Sequence, residues 1–262
     1  MAVSLGQILE STRRGLPALA RRRAELERDA ASAPAVRPFA AALRGPTIGL
    51  IAEVKRRSPS AGSINETLDP VARAAGYVDA GAVAISVLTD GPFFGGSLDD
   101  LRAVAAAVPV PVIRKDFILA EEQLMEARSC GASAALLIVR ALGAERLAEL
   151  SRAARDLGLA TLVEVHTAAE LDLAVDAGVD VIGVNSRDLD TFRIDVDAAW
   201  RLVERVPPAR IAVAESGMAT VADVERAALA GADAVLVGTA LSEAQDPVGL
   251  AAGIAEVARH GR

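Results

Sequence analysis

The sequence predicts an α/β protein built as a (β/α)8 TIM barrel with an N-terminal helical extension. Three observations carry this prediction. Eight short apolar runs alternate along the chain with eight amphipathic, Ala-rich stretches. The runs are apolar almost throughout, as strands are when both faces of a parallel sheet are covered. Glycines Gly81, Gly131, Gly158, Gly178 and Gly231 stand where the amphipathic stretches should stop, the place of a left-handed cap residue. Such alternation pairs strands in parallel through right-handed crossovers. A doubly wound open sheet shares the pattern, but eight units at roughly even spacing favour the closed barrel.

The elements follow in order. Residues 1–46 read as an extension and connector, and residues 47–262 as the barrel. Leu5 to Ala31 is charged and amphipathic, with Ile8, Leu9, Leu16, Leu19 and Leu26 among Arg and Glu, which suits one or two surface helices. Ser32 to Pro46, punctuated by Pro34, Pro38 and Pro46, reads as a connector. The predicted strands are Ile48–Val54, Val83–Leu88, Val110–Ile113, Ala134–Val139, Ala160–Val165, Val179–Val184, Ile211–Ala214 and Ala234–Val237. The helical stretches after them are Pro70–Ala80, Leu98–Ala107, Glu121–Cys130, Ala144–Leu157, Ala168–Ala177, Val196–Val206, Val221–Ala230 and Pro247–Ala258.

Composition bounds the function. A chain of 262 residues buries a large core without a disulfide or metal staple. Aromatic residues are only 3%, so that core must be aliphatic. Lys and Arg total 28 against 35 Asp and Glu, a net charge of −7, which argues against nucleic acid as a partner. Cys130 is the sole cysteine, so no internal disulfide forms and a reducing, cytoplasmic setting is expected. His166 and His260 are the only histidines, too few for a His-rich metal site. The N-terminus lacks a basic leader followed by an apolar stretch, and the most apolar region, near Ala103–Ile113, is cut by Pro109 and Pro111. No membrane partner is expected. No long exposed apolar stripe compels a dimer, so the chain is compatible with a monomer.

In such barrels the active site lies where the strands end at their C-terminal face. Polar residues interrupt the apolar runs there. Glu53 and Lys55 end the first run, two apart and so on one side of the strand. Lys115 ends the third, Asn185 and Arg187 the sixth, Glu215, Ser216 and Gly217 the seventh, and Gly238 and Thr239 the eighth. Glu164 sits within the fifth among Leu162, Val163 and Val165, where a carboxylate without partners is heavily penalised. Lysines and an arginine from other strands can supply those partners in a closed barrel. Taken singly, each such residue reads as a solvated surface charge. Converging on one mouth, they read as a catalytic site.

A phosphate site is the second expectation. ESGM and VGTAL each precede a helix, and helix starts attract anions through unpaired N–H groups and the helix dipole. Ser58, in the loop after the first run, adds a hydroxyl. That loop, Ser58–Ser63, is mobile by composition and able to close over a ligand.

The stretches IAEVKRRSPSAG, AISVLTDGPFFGGS, VIRKDFI, LVEVHT, GVNSRDL, AESGM and ADAVLVGTAL, in order from about Ile48 to Leu241, resemble the indole-3-glycerol phosphate synthase family. The N-terminal helical extension fits the same family. ESG and VGTAL alone are unspecific, since they recur in other phosphate-binding barrels. The resemblance implies ring closure, decarboxylation and dehydration of 1-(2-carboxyphenylamino)-1-deoxyribulose 5-phosphate. It implies Lys115 as general acid, Glu164 as general base, Lys55 on the anionic groups of the substrate and Glu53 holding the lysine network. Asn185, Arg187, Glu215 and Ser216 occupy the family's polar positions; Ser58, Gly217, Gly238 and Thr239 hold the phosphate; Phe94 and Phe117 flank the anthranilate ring. Two departures are visible: Ser186 stands where a second asparagine is common, and the loop after Lys55 is less Lys-rich. The chemistry needs no redox step, so neither cofactor nor metal is implied. Two alternatives are a non-catalytic barrel that binds a phosphorylated metabolite and another phosphosugar barrel isomerase. A lysine beside other cations and partly buried would have its pKa lowered towards the working pH, which is what a general acid wants.

Overall fold

The computed structural model describes residues 4–58, 62–63 and 67–261. Eight parallel strands close into a barrel: Gly49–Val54, Ala84–Leu88, Val112–Lys115, Ala134–Ile138, Ala160–Val165, Val181–Asn185, Ile211–Glu215 and Ala234–Val237. Neighbours in sequence pair throughout, and the first strand closes the ring against both the second and the eighth. The open-sheet alternative is thereby excluded. Strand bounds lie within two residues of those read from the apolar runs.

The outer helices begin where the sequence placed them, but two end three residues earlier than read, at Val203 rather than Val206 and at Ala255 rather than Ala258. After the fourth strand a short helical turn from Val139 is broken at Gly143, whose φ of 70° and ψ of 178° are not helical, and the helix read from Ala144 follows it to Asp156. Short helices also form at Gly91–Phe94 and Thr239–Glu243, too brief to show a periodic signature. The five glycines expected to stop helices all have positive φ, from 71° to 98°. After the first strand, Arg57–Ser58 and Gly62–Ser63 pair as a small antiparallel hairpin. The tip of the loop predicted to close over a ligand, residues 59–61, lies outside the described residues, as does the Ser58 side chain.

The period of two along each strand divides the core. Leu50, Ala52, Val54, Ile182 and Val184 face the helices, whereas Ile51, Ile113, Leu136, Leu162, Val181, Val213 and Leu236 fill the barrel. The connector has more structure than its prolines suggested. Phe39–Ala42 is a helical turn, and Phe39 and Leu43 join the interior cluster at 1% and 0% exposure, plugging the barrel from beneath. The extension itself forms helices Leu5–Ala20 and Arg23–Ser32; the second packs Leu26 and Ala30 on Met125 and pairs Arg23 with Glu121 and Glu122 at 2.9 Å.

Among the described residues no helix is long and apolar enough to cross a membrane. Because nothing larger than a methyl replaces the Phe39 ring under the barrel, Phe39→Ala should cost about 3–5 kcal/mol, read as a lower urea midpoint at unchanged slope.

Candidate active site

The inward-facing residues, followed upward along each strand, explain why charge collects at one end. Ile51 is succeeded inside by Glu53 and Lys55, Ile113 by Lys115, and Leu162 by Glu164. Val181 gives way to Gly183 and Asn185, Val213 to Glu215, and Leu236 to Gly238. One or two steps of two residues past the last apolar layer place these groups at the C-terminal mouth.

They line a single cavity of about 1000 Å³, its open mouth included. Glu53, Lys55, Phe94, Lys115, Phe117, Glu164, Asn185, Arg187, Glu215, Ser216, Gly217, Gly238 and Thr239 all contribute to its wall. Of the site residues predicted from sequence, only Ser58 is missing from that wall, its side chain lying outside the described residues.

At the centre is an ammonium between carboxyls. Lys115 Nζ lies 3.2 Å from Glu164 Oε2 and 3.5 Å from Glu215 Oε2, and the two glutamates are 1% and 2% exposed. Burial pushes the Lys115 pKa down, but the charges of Glu164, Glu215 and Glu53 outweigh it and hold the lysine above its ordinary value. The expectation of a lowered lysine pKa is therefore corrected for the free site: its nearest charged neighbours are anions, not cations. Burial also pushes the Glu164 carboxyl up, but Lys115, His166 and a hydrogen bond from Asn185 prevail and leave it below the usual range. Glu215 goes the other way. Its burial, with Glu164 and Glu53 nearby, exceeds the pull of Lys115 and raises it to about 8. The cluster thus pairs an ionised and a protonated carboxyl around one cation, as close carboxylates must when they cannot both be charged.

A second ion pair stands beside it. Lys55 Nζ is 3.1 Å from Glu53 Oε1 and donates to Thr239 Oγ1 at 2.8 Å, tying the first strand to the start of the helix after the eighth. Two glycines make room for these carboxylates. A Cβ on Gly183 would lie 2.0 Å from Glu215 Oε1, and one on Gly238 would lie 2.1 Å from Glu53 Oε1. Beneath Lys115, Arg114 faces outward, buried, and donates to Asp116, Thr89 and the Gln123 carbonyl, with Glu126 at 3.2 Å. That network fixes the strand end that presents the lysine.

The helix-start reading holds for one loop and fails for the other. Gly238 directly precedes helix Thr239–Glu243 and no side chain caps it. After ESGM, however, the helix begins only at Val221, and a capping box closes its start: Thr220 Oγ1 accepts from the Asp223 N–H, and the Asp223 carboxylate accepts from the Ala219 and Thr220 N–H groups. Ser216 and Gly217 reach the cavity through a sharp turn instead, with φ of 63° and 73°.

The apolar wall was mostly missed from sequence. Phe94 and Phe117 were read, and their rings lie 6.1 Å apart at 37°. Leu136, Ile138, Leu189, Phe192, Met218 and Leu236 also line the cavity. Apolar strand residues carry no signal that separates wall from core. Phe192, at φ 57°, owes its place to a loop conformation that sequence does not show. Among the described residues no group of His, Cys, Asp and Glu is arranged to hold a metal ion.

The profile of the indole-3-glycerol phosphate synthase family matches residues 5–252. The chain belongs to that family. It is 50% identical to an indole-3-glycerol phosphate synthase of Mycobacteroides abscessus over 88% of this chain and 85% of that one. It is 49% identical to indole-3-glycerol phosphate synthase 2 of Streptomyces coelicolor over 87% and 88%. Among solved structures, 3-hexulose-6-phosphate synthase from Salmonella typhimurium superposes with a TM-score of 0.63 at 20% identity, covering 80% of this chain and 97% of that one, which shows the shared barrel alone. Membership decides against the isomerase and non-catalytic alternatives.

The raised Glu215 pKa has a consequence for stability. A carboxyl whose folded pKa exceeds its unfolded value stabilises the fold below the unfolded pKa, and loses that contribution as pH rises through the folded one. Between about pH 5 and pH 8 the wild-type protein should therefore lose stability to denaturant, and Glu215→Gln, which cannot ionise, should lose less.

Proposed function

We propose that the protein converts 1-(2-carboxyphenylamino)-1-deoxyribulose 5-phosphate to indole-3-glycerol phosphate, with loss of CO2 and water, by acid–base catalysis at the cavity described above. The observation that carries the reading is the Lys115 ammonium set between Glu164 and Glu215 in the wall of the cavity. In this reading the substrate enters as an anion at both ends. Its phosphate is held by the Ser216–Gly217 turn and by Gly238 and Thr239, with Lys55 hydrogen-bonded to the same threonine. Its aromatic ring lies between Phe94 and Phe117, with Leu189 and Phe192 closing the apolar side. Arg187 and Asn185 face it from the sixth strand.

Ring closure needs an electrophilic carbonyl. Lys115 polarises the ketone oxygen and delivers a proton to it as the ring carbon bearing the carboxylate attacks. The free site stores that proton firmly on nitrogen; substrate coming between Nζ and Glu164 withdraws the carboxylate that holds it there. CO2 then leaves and its electron pair returns to the ring. The new hydroxyl takes a proton from one of the two ammonium groups, Lys55 or a reprotonated Lys115, and departs as water while Glu164, two strands from Lys115, removes a proton from the five-membered ring. Acid and base stand two strands apart, so neither has to move past the substrate. Glu215, protonated near neutral pH, donates rather than competes for the ammonium. The single buried cysteine, Cys130, suits action in the reducing cytoplasm, and the small phosphorylated substrate is the one partner this reading requires.

Lys115→Met tests the acid. Turnover should fall at least about 10²-fold while the far-UV circular dichroism stays native. Retained turnover, followed by indole absorbance or fluorescence, would remove Lys115 from the role. Glu164→Gln should lower kcat more than it raises KM; a rise in KM alone would mean that Glu164 only binds substrate.

A further inference from the structure

His166 lies two residues beyond Glu164, just past the end of the fifth strand, and its side chain turns back beside that glutamate. The imidazole is 4% exposed. Nε2 lies 3.5 Å from Glu164 Oε1, and Nδ1 lies 3.4 Å from Glu170 Oε2. Neither ring nitrogen, nor Glu164 Oε1, has a hydrogen-bond partner among the described residues. Oε2 of Glu164 accepts from Lys115, Oε1 has the imidazole as a close neighbour, and Asn185 also hydrogen-bonds the carboxyl.

The far side of the imidazole is firmly held. Glu170 Oε2 accepts from the His166 backbone N–H at 2.6 Å, and its Oε1 accepts from Arg140 Nε at 3.2 Å. Arg140, from the helix after the fourth strand, donates in turn to Asp188 at 2.9 Å, in the loop that carries Arg187 and Leu189. A line of polar side chains thus runs from the cavity to its rim: Glu164, His166, Glu170, Arg140, Asp188. A neutral imidazole donates from one nitrogen and turns a lone pair outward from the other, whereas the doubly protonated ring donates from both. Each ring nitrogen here has a carboxylate oxygen as its charged neighbour.

We infer that His166 is a positioning residue for the indole-forming reaction, holding Oε1 of Glu164 from behind so that Oε2 stays aimed at Lys115 and the substrate. The inference rests on the assignment of Glu164 as base. It accounts for a nearly fully buried imidazole set between two carboxylates. His166 also acts on the charge of Glu164. Around that carboxylate stand Lys115 from the third strand, Asn185 from the sixth, Glu215 from the seventh and His166 from the fifth. Around His166 stand Glu164 and Glu170, the latter paired with Arg140. His166 is among the groups that hold the Glu164 carboxyl below its usual range, so replacing it raises the pH at which Glu164 takes up a proton.

The test uses His166→Gln, which nearly fills the space and cannot carry charge, with His166→Asn as a second uncharged replacement and exposed His260→Gln as control. For both His166 variants kcat should fall about tenfold near neutral pH with KM within about twofold, and the acid limb of the kcat profile should move up by about half a pH unit or more. The control should match wild type. A folded His166→Gln protein whose kcat and acid limb match wild type overturns the inference. Loss of affinity alone, with the limb unmoved, does so too, since it reduces His166 to packing. Glu164→Gln separates the two levels: if it keeps wild-type turnover, the base assignment itself fails, whereas an inactive Glu164→Gln beside an unaltered His166→Gln sinks only the role of His166.

Discussion

Everything in the mouth of this barrel depends on one arrangement: the Lys115 ammonium held out of bulk water between Glu164 and Glu215. A cation alone in such surroundings would lose its proton, and two carboxylates alone would not both ionise. Together they settle into one positive, one negative and one neutral group, which suits a site that must both give and take a proton. The glycines at 183 and 238 follow from the same constraint, because a methyl at either would occupy the space of a carboxylate oxygen. The outward network of Arg114, Asp116 and Glu126 serves it as well, by fixing the strand end that carries the lysine.

The barrel turns a sequence period into a chemical gradient. Six of the eight strands give way inward from apolar side chains to a polar group or a glycine, while the second and fourth reach the mouth with Leu88 and Ile138. Phe39 and Leu43 close the bottom, so the interior is dry below and charged only at the top. Field lines from the clustered groups therefore act on whatever occupies the cavity rather than being dissipated in solvent. That an overall acidic chain keeps Lys55, Lys115 and Arg187 at one mouth fits a small, doubly anionic substrate better than any macromolecular partner.

Much of this was legible in the residues. The eight runs and their glycine stops gave the barrel, because both follow from local rules: burial on two faces for strands, left-handed caps for helices. Glu164 stood out because a carboxylate within an apolar strand demands partners. Three things were hidden. The turn at Phe39–Ala42 is too short for periodicity, and its two buried side chains are fixed by tertiary packing. The pKa of Lys115 depends on which charges are nearest, and the chain order does not show that Glu164 and Glu215 lie closer than Lys55. The helix after ESGM caps itself with Thr220 and Asp223, so a motif that reads as an anion-binding helix start offers a bare turn instead.

The central claim is the division of charge between two buried glutamates. Carboxyl ¹³C resonances of the free enzyme, assigned with Glu215→Gln and Glu164→Gln, measure it directly across pH. The account predicts that Glu215 titrates near pH 8 while Glu164 stays ionised well into the acid range. Two signals titrating together at the ordinary carboxylate pH would contradict it, and with it the reading of Lys115 as a cation poised between unlike partners.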